Sequence, residues 1–270
     1  YLKHNFLVNN LKLNASLSHT WDHSLTVDTA FRKYDWDGDY IESSRNEITG
    51  RDRSLRHYKR PLTIVRTNLD HQLNRNHSFN LNYLLSRTGN DRYDEIDTEF
   101  EPSNDVLAKH ILGLSYNQSF FNGKMDNTFF VKDYINHLNI QQQDLYWITG
   151  SREASSSTKN NVGYGVGTRY SFWEELALKA SFEHSVRLPL ARELLGNGTT
   201  IYPNVKLNPE SSNNVNLGTY GSVRLAPGHL LYYEANAFYR DVNDYIHAVV
   251  SESEGMMQYE NVSSVDIKGV

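Results

Sequence analysis

Apolar and polar residues alternate one by one along this chain, and a period of two is the signature of a β-strand with two unlike faces. Leu11, Leu13, Ala15 and Leu17 are interleaved with Lys12, Asn14, Ser16 and Ser18. Phe79, Leu81, Tyr83 and Leu85 alternate with Ser78, Asn80, Asn82 and, imperfectly, Leu84. Val162, Tyr164 and Val166 are set against Gly163, Gly165 and Gly167, and Leu176, Leu178 and Phe182 against Ala177, Lys179 and Glu183. Leu231, Tyr233, Ala235, Ala237 and Tyr239 continue the pattern near the end. No stretch repeats its apolar residues at the helical period of 3.6, so the chain reads as all-β.

Two kinds of connection take turns between these strands. Short segments ending at Ser24, His77, Met125, Glu175 and His229 have hairpin-turn composition and recur about every 50 residues. Long polar segments lie between them, at residues 35–58, 88–105, 137–160, 187–212 and 246–257. A sandwich in water would also alternate. Three features favour lipid outside instead. The strands read as about 10–15 residues, where soluble proteins use about five or six. Short turns at one end and long loops at the other match an outer-membrane barrel. Aromatics gather beside the short turns (Trp21, Phe120, Phe121, Phe172, Trp173, Tyr232, Tyr233), as an interfacial girdle requires. The expected fold is an antiparallel up-and-down transmembrane β-barrel of about 11 strands, an odd number that leaves the barrel partial.

Composition agrees with that reading. A mean hydropathy of −0.62 and the lack of any long apolar run exclude a transmembrane helix but not a barrel, whose strands average out to polar. With no cysteine, disulfides, thiolate metal sites and cysteine nucleophiles are excluded. A net charge of −5, with basic and acidic residues interspersed, argues against a nucleic-acid partner; the basic run at 51–60 reads as a solvated loop. The beginning of the chain shows no signal-peptide pattern, and Val265 to Val270 looks like a strand in progress.

The segment 185–196, SVRLPLARELLG, followed by YPNVKLNPESS at 202–212, resembles the barrel signature of TonB-dependent outer-membrane receptors. In that family the pattern runs F-R-x-P-x-x-x-E-L-x-G and then N-P-x-L-x-P-E-x-S before a strand. Arg187, Pro189, Glu193, Leu194 and Gly196 fit the first half, and Asn204, Leu207, Pro209, Glu210 and Ser212 the second. Val186 stands where an aromatic is usual and Val205 where a proline is usual. Residues 234–246 resemble the family's next strand, and Tyr259, Asn261 and Gly269 fit the strand after that. The resemblance covers residues 182–270 through its motifs and the rest through strand grammar.

The resemblance implies a barrel of about 22 strands around an N-terminal plug. Residues 1–270 would then be one partial barrel domain, with the plug and several closing strands outside it. It implies an integral protein of the bacterial outer membrane, in contact with the bilayer and lipopolysaccharide. Its expected work is to import a scarce ligand, whether siderophore, haem, cobalamin, glycan or peptide, with energy from the TonB complex acting through the plug. A passive porin or surface-binding barrel is the alternative reading, and a soluble adhesin the third.

No catalytic group, metal site or cofactor is predicted. Asp35, Asp37 and Asp39 resemble the start of a calcium loop, but Tyr40 and Asn46 stand where its Gly and Glu belong. The histidines lack zinc-site spacing, and a haem-ligating role for His137 has no support in the sequence. Ligand contact is expected from aromatics in the long loops: Tyr34, Trp36, Tyr93, Tyr146, Trp147 and Tyr202. The family-motif residues are expected to shape the loop and barrel wall.

Overall fold

The structure, a computed structural model, describes residues 2–19, 23–42, 54–59, 61–94, 102–140, 155–173, 175–196, 201–250 and 257–270; side chains are described from residue 61 on, apart from 92–94. In chain order the elements are β1 (Leu2–His19), β2 (His23–Glu42), β3 (Ser54–Lys59), β4 (Leu62–Asn74), β5 (His77–Asp94), β6 (Ser103–Phe120) and β7 (Met125–Ile140). They continue with β8 (Ser155–Trp173), β9 (Leu176–Arg187), the single-turn helix α1 (Ala191–Leu195), β10 (Ile201–Tyr202), β11 (Glu210–Ala226), β12 (His229–Val250) and β13 (Met257–Gly269). All belong to one sheet except α1. Its long neighbours pair antiparallel in sequence order, each strand beside the one before it. β3 and β4 both lie between β2 and β5 and act as two halves of one wall strand, interrupted at Pro61, which cannot donate to a ladder. With those halves merged and β10 set aside, eleven strands make the wall.

Register gives each face its chemistry. Phe79, Tyr116, Phe129, Val166, Phe182, Val215 and Tyr239 are cross-strand partners in one unbroken row over seven strands. Every member is apolar or aromatic, and the rows beside it hold Leu81, Leu114, Val131 and Leu217. This is the outer face, where Leu114 and Val131 are each about 45% exposed (46% and 45%) and Leu217 is 60% exposed. Such a continuous exposed apolar band is far more than a soluble monomer carries, and it suits contact with lipid.

The inner face is polar and bonded to itself. Asn80 donates to Asn68 Oδ1 at 2.8 Å, Thr128 donates to Asn117 Oδ1 at 2.9 Å, and Asn216 donates to Ser181 Oγ at 3.0 Å. Lys132–Glu183 and Lys179–Glu234 form ion pairs at 3.4 and 2.6 Å, and Arg169 pairs with Asp126. Two aromatic rings lie flat on inner-face glycines. A Cβ on Gly165 would stand 2.5 Å from the Phe130 ring, and one on Gly269 would stand 2.8 Å from the Phe238 ring. A cation tops each ring: Lys132 is 4.6 Å from the Phe130 centroid and Arg240 5.5 Å from that of Phe238.

Among the described residues, the tight turns fall at one end. At the β6–β7 turn, Phe121, Asn122 and Gly123 have φ of 53°, 57° and 83°, left-handed values for which Asn and Gly are the suited residues. Phe121, Phe172, Trp173 and Tyr232 are exposed at or near these turns, whereas Trp21 lies outside the described residues.

Most wall strands are longer than the alternation indicates, up to 22 residues in β12, whereas β4, β9 and β13 keep to 12 or 13. They run well into the segments read as loops: β2 reaches Glu42, β5 reaches Asp94, and β8 starts at Ser155. Beyond the apolar band both faces of a hairpin can be wet, so backbone pairing continues where side-chain alternation has stopped. Residues 35–39 are accordingly strand, paired with β1 and in part with β3, rather than a calcium-type loop.

Candidate functional site

Between β9 and β11, residues 188–196 and 201–209 leave the wall and lie over the inner face. This strap starts where Pro189 ends the strand; the proline is among the most completely buried residues. The next residues turn into α1. Its first turn is capped by Glu193, whose Oε2 accepts the backbone N–H of Leu190 at 2.7 Å. Gly196 ends it with φ of 67°, and a Cβ there would lie 2.3 Å from the carbonyl oxygen of Ile201. Only glycine meets both demands.

Arg187 clamps the two ends of the strap together. Its Nη1 and Nη2 donate to Glu193 at 3.1–3.3 Å, and its Nε donates to Glu210 Oε2 at 2.9 Å. Glu210 Oε1 accepts the backbone N–H of Ile246 at 2.7 Å, tying the clamp to β12. The Glu193 and Glu210 side chains are only 5% and 11% exposed, and all four of their oxygens are occupied. Buried carboxylates need such partners to offset desolvation, and here every carboxylate oxygen is already engaged in holding the fold.

Apolar packing fixes the middle of the strap. Leu194, Leu195 and Leu207 join Leu107 of β6, Leu138 and Ile140 of β7 and Ile246 of β12 in one buried cluster. Each such side chain contributes about 1.5–3 kcal/mol on burial. Val205, in the proline position of the motif, packs against the same cluster. Lys159 of β8 donates to the carbonyl oxygen of Leu207 at 3.0 Å and to Asn208 Oδ1 at 2.8 Å. On the far side, Asn204 donates to the Tyr259 carbonyl at 2.8 Å, and Asn261 exchanges bonds of 2.8 and 3.1 Å with the backbone of Asn208.

The thirteen family-motif positions thus have definite places, Ser212 on β11 sharing a 2.8 Å hydrogen bond with Ser185 of β9. Arg187, Pro189, Glu193, Leu194, Gly196, Asn204, Leu207, Glu210, Tyr259 and Asn261 meet in or against the strap; Pro209 adjoins Glu210 at the strap's end, and Gly269 lies lower on β13 beneath Phe238. Of the aromatics read as ligand contacts, Tyr202 alone has a described side chain. Tyr34 and Trp36 belong to β2 and Tyr93 to β5, within strands rather than loops, and their side chains lie outside the described residues, as Tyr146 and Trp147 do entirely. Tyr202 is in β10, bridged to Gln258. His137 shares a 2.9 Å hydrogen bond with Thr158. Among the described residues no group of three or more His, Cys, Asp or Glu could hold a metal ion, and no helix is long and apolar enough to cross a membrane. The sequence motif did not reveal Lys159, Leu107, Leu138, Ile140 and Ile246, which meet the strap from remote strands.

The family model described as TonB dependent receptor-like, beta-barrel matches residues 2–270. The chain belongs to the TonB-dependent receptor family. Among solved structures, this receptor barrel is similar to the copper transporter OprC, at 15% identity and a TM-score of 0.72 over 98% of this chain and 42% of that one. It is similar to the FrpB iron transporter from Neisseria meningitidis at 10% identity and a TM-score of 0.65, over 97% of this chain and 41% of that one. A third is the Serratia marcescens hemophore receptor HasR, solved with its hemophore HasA and heme, at 15% identity and a TM-score of 0.52, covering 97% and 51%. At these identities the likeness is one of fold, and the chain spans about half or less of each structure. No curated protein sequence matches it. The family's members are outer-membrane receptors and transporters, not enzymes.

Proposed function

We propose that this chain is part of the wall of an energised importer in the outer membrane, one partial barrel domain of a receptor whose plug and closing strands lie outside residues 1–270. The observation that carries this reading is the strap. It is folded over the inner face and fastened by ion pairs and a buried apolar cluster; in a closed barrel it would occupy part of the mouth that a passive pore keeps open. In this reading Arg187, Glu193, Glu210 and their motif neighbours build the mouth. The long loops, with Tyr34, Trp36, Tyr93, Tyr146 and Trp147 in or beside them, touch the ligand. The cargo belongs to the scarce-nutrient class, siderophore, haem, cobalamin, glycan or peptide, taken up with TonB energy through the plug, while the outer apolar band meets the bilayer and lipopolysaccharide.

The test uses the complete receptor in cells with and without TonB, with a panel of labelled ferric siderophores, haem and cobalamin. The expected result is binding of one ligand class in both strains and uptake only where TonB is present. Equal uptake without TonB would overturn the proposal in favour of a passive pore.

A further inference from the structure

The strap does more than cross the lumen. Its two-residue strand β10 pairs with the edge of β13 that faces away from β12, so the sheet order ends β12, β13, β10. The ladder is parallel, Ile201 with Met257 and Tyr202 with Gln258. Side chains reinforce it on the strap side: Gln258 donates to the Pro203 carbonyl at 3.0 Å and Asn204 to the Tyr259 carbonyl at 2.8 Å. A two-residue ladder alone is marginal; these bonds and the buried Leu207 beside them make it a fixed contact.

We infer that the strap stands in for a wall strand at the loop end of β13, so that the next strand of the polypeptide pairs with β13 only below Tyr259. The inference rests on reading the sheet as part of a larger barrel. The matched structures are about twice as long as this chain or more, which leaves ample chain to supply that strand. In an up-and-down barrel it would run antiparallel to β13, whereas β10 is parallel and cannot be extended into its ladder. Neighbouring strands sit about 4.8 Å apart, so one edge has room for one of them. The incoming strand therefore finds the edge free from about Val262 to Gly269 and occupied at Met257 and Gln258, where it must turn aside and leave the strap to complete the wall.

Disulfide trapping in the complete receptor, in native outer membranes and with any cysteine outside these residues replaced by serine, tests this; the 270 residues themselves contain no cysteine. The pair Ile201→Cys with Met257→Cys should oxidise to an internal crosslink, seen as a reducible shift in gel mobility, in receptor that shows the mobility of the folded form. Separately, Met257→Cys and Val265→Cys are each combined with a single cysteine walked along the strand that follows Val270. Val265→Cys should crosslink to that strand and Met257→Cys should not. Folded receptor without the internal crosslink, or Met257→Cys joined to the following strand, would overturn the inference. Neither readout depends on uptake, so a receptor that crosslinks as expected but imports without TonB would overturn the functional reading alone.

Discussion

Arg187 serves two carboxylates at once, and the planar fork of its guanidinium makes that possible: two nitrogens face Glu193 while Nε faces Glu210. Glu193 gains a second partner in the Leu190 N–H, so removing it undoes both the clamp and the start of α1. Breaking a buried pair costs about 3–5 kcal/mol, and the 40% exposure of the Arg187 side chain lowers that here to roughly 2–3 kcal/mol. Glu193→Ala should therefore reduce the amount of folded receptor at the cell surface, measured by surface labelling, and leave the ligand affinity of the surviving molecules unchanged. Normal surface levels with abolished binding would contradict the structural role. The motif made Arg187, Glu193 and Glu210 legible from sequence, because their spacing resembles a family pattern. The Glu210 partner Ile246 was not legible, nor was Lys159, which holds the strap at Leu207 and Asn208. A backbone N–H has no side-chain signature, and a single lysine on a polar face looks like any solvated residue until register brings it beneath Leu207.

Strands and tight turns were the most readable elements, since a side chain that meets lipid every second residue leaves its mark directly in the sequence. Where lipid ends, so does the mark, and for that reason β2, β5 and β8 extend past their expected limits. The half-strand β3 was hidden for a related reason, Ser54–Lys59 being a polar, basic stretch that pairs through its backbone. β10 could not be inferred locally at all, because two residues carry no period. Within β7 the two faces make opposite demands on adjacent residues. Val131 lies on the outer face beside Leu114 and Tyr164, whereas Lys132 points inward to Glu183. Val131→Arg should cost about 2–4 kcal/mol if the site is near the middle of the bilayer. The measurement is the denaturant midpoint of receptor folded in lipid vesicles; an unchanged midpoint would show that the outer row does not meet hydrocarbon.

On the largest scale, the described strands form one sheet whose apolar surface points away from its own buried cluster. It should remain dispersed only in detergent or lipid. In detergent-free buffer the exposed row from Phe79 to Tyr239 and the edges of β1 and β13 predict rapid aggregation, which light scattering would detect. A monodisperse chain in plain buffer would favour the soluble adhesin reading.

The pairing of charges on the inner face has a consequence for traffic. Lys132 with Glu183, Arg169 with Asp126 and Lys179 with Glu234 cancel one another where they stand. A conduit needs surfaces from which its passenger can depart, and a wall studded with unopposed charges would retain any ion of the opposite sign. In the proposed importer these three pairs would offer a passing ion no unopposed charge of their own, so this part of the wall would be wet without retaining what passes.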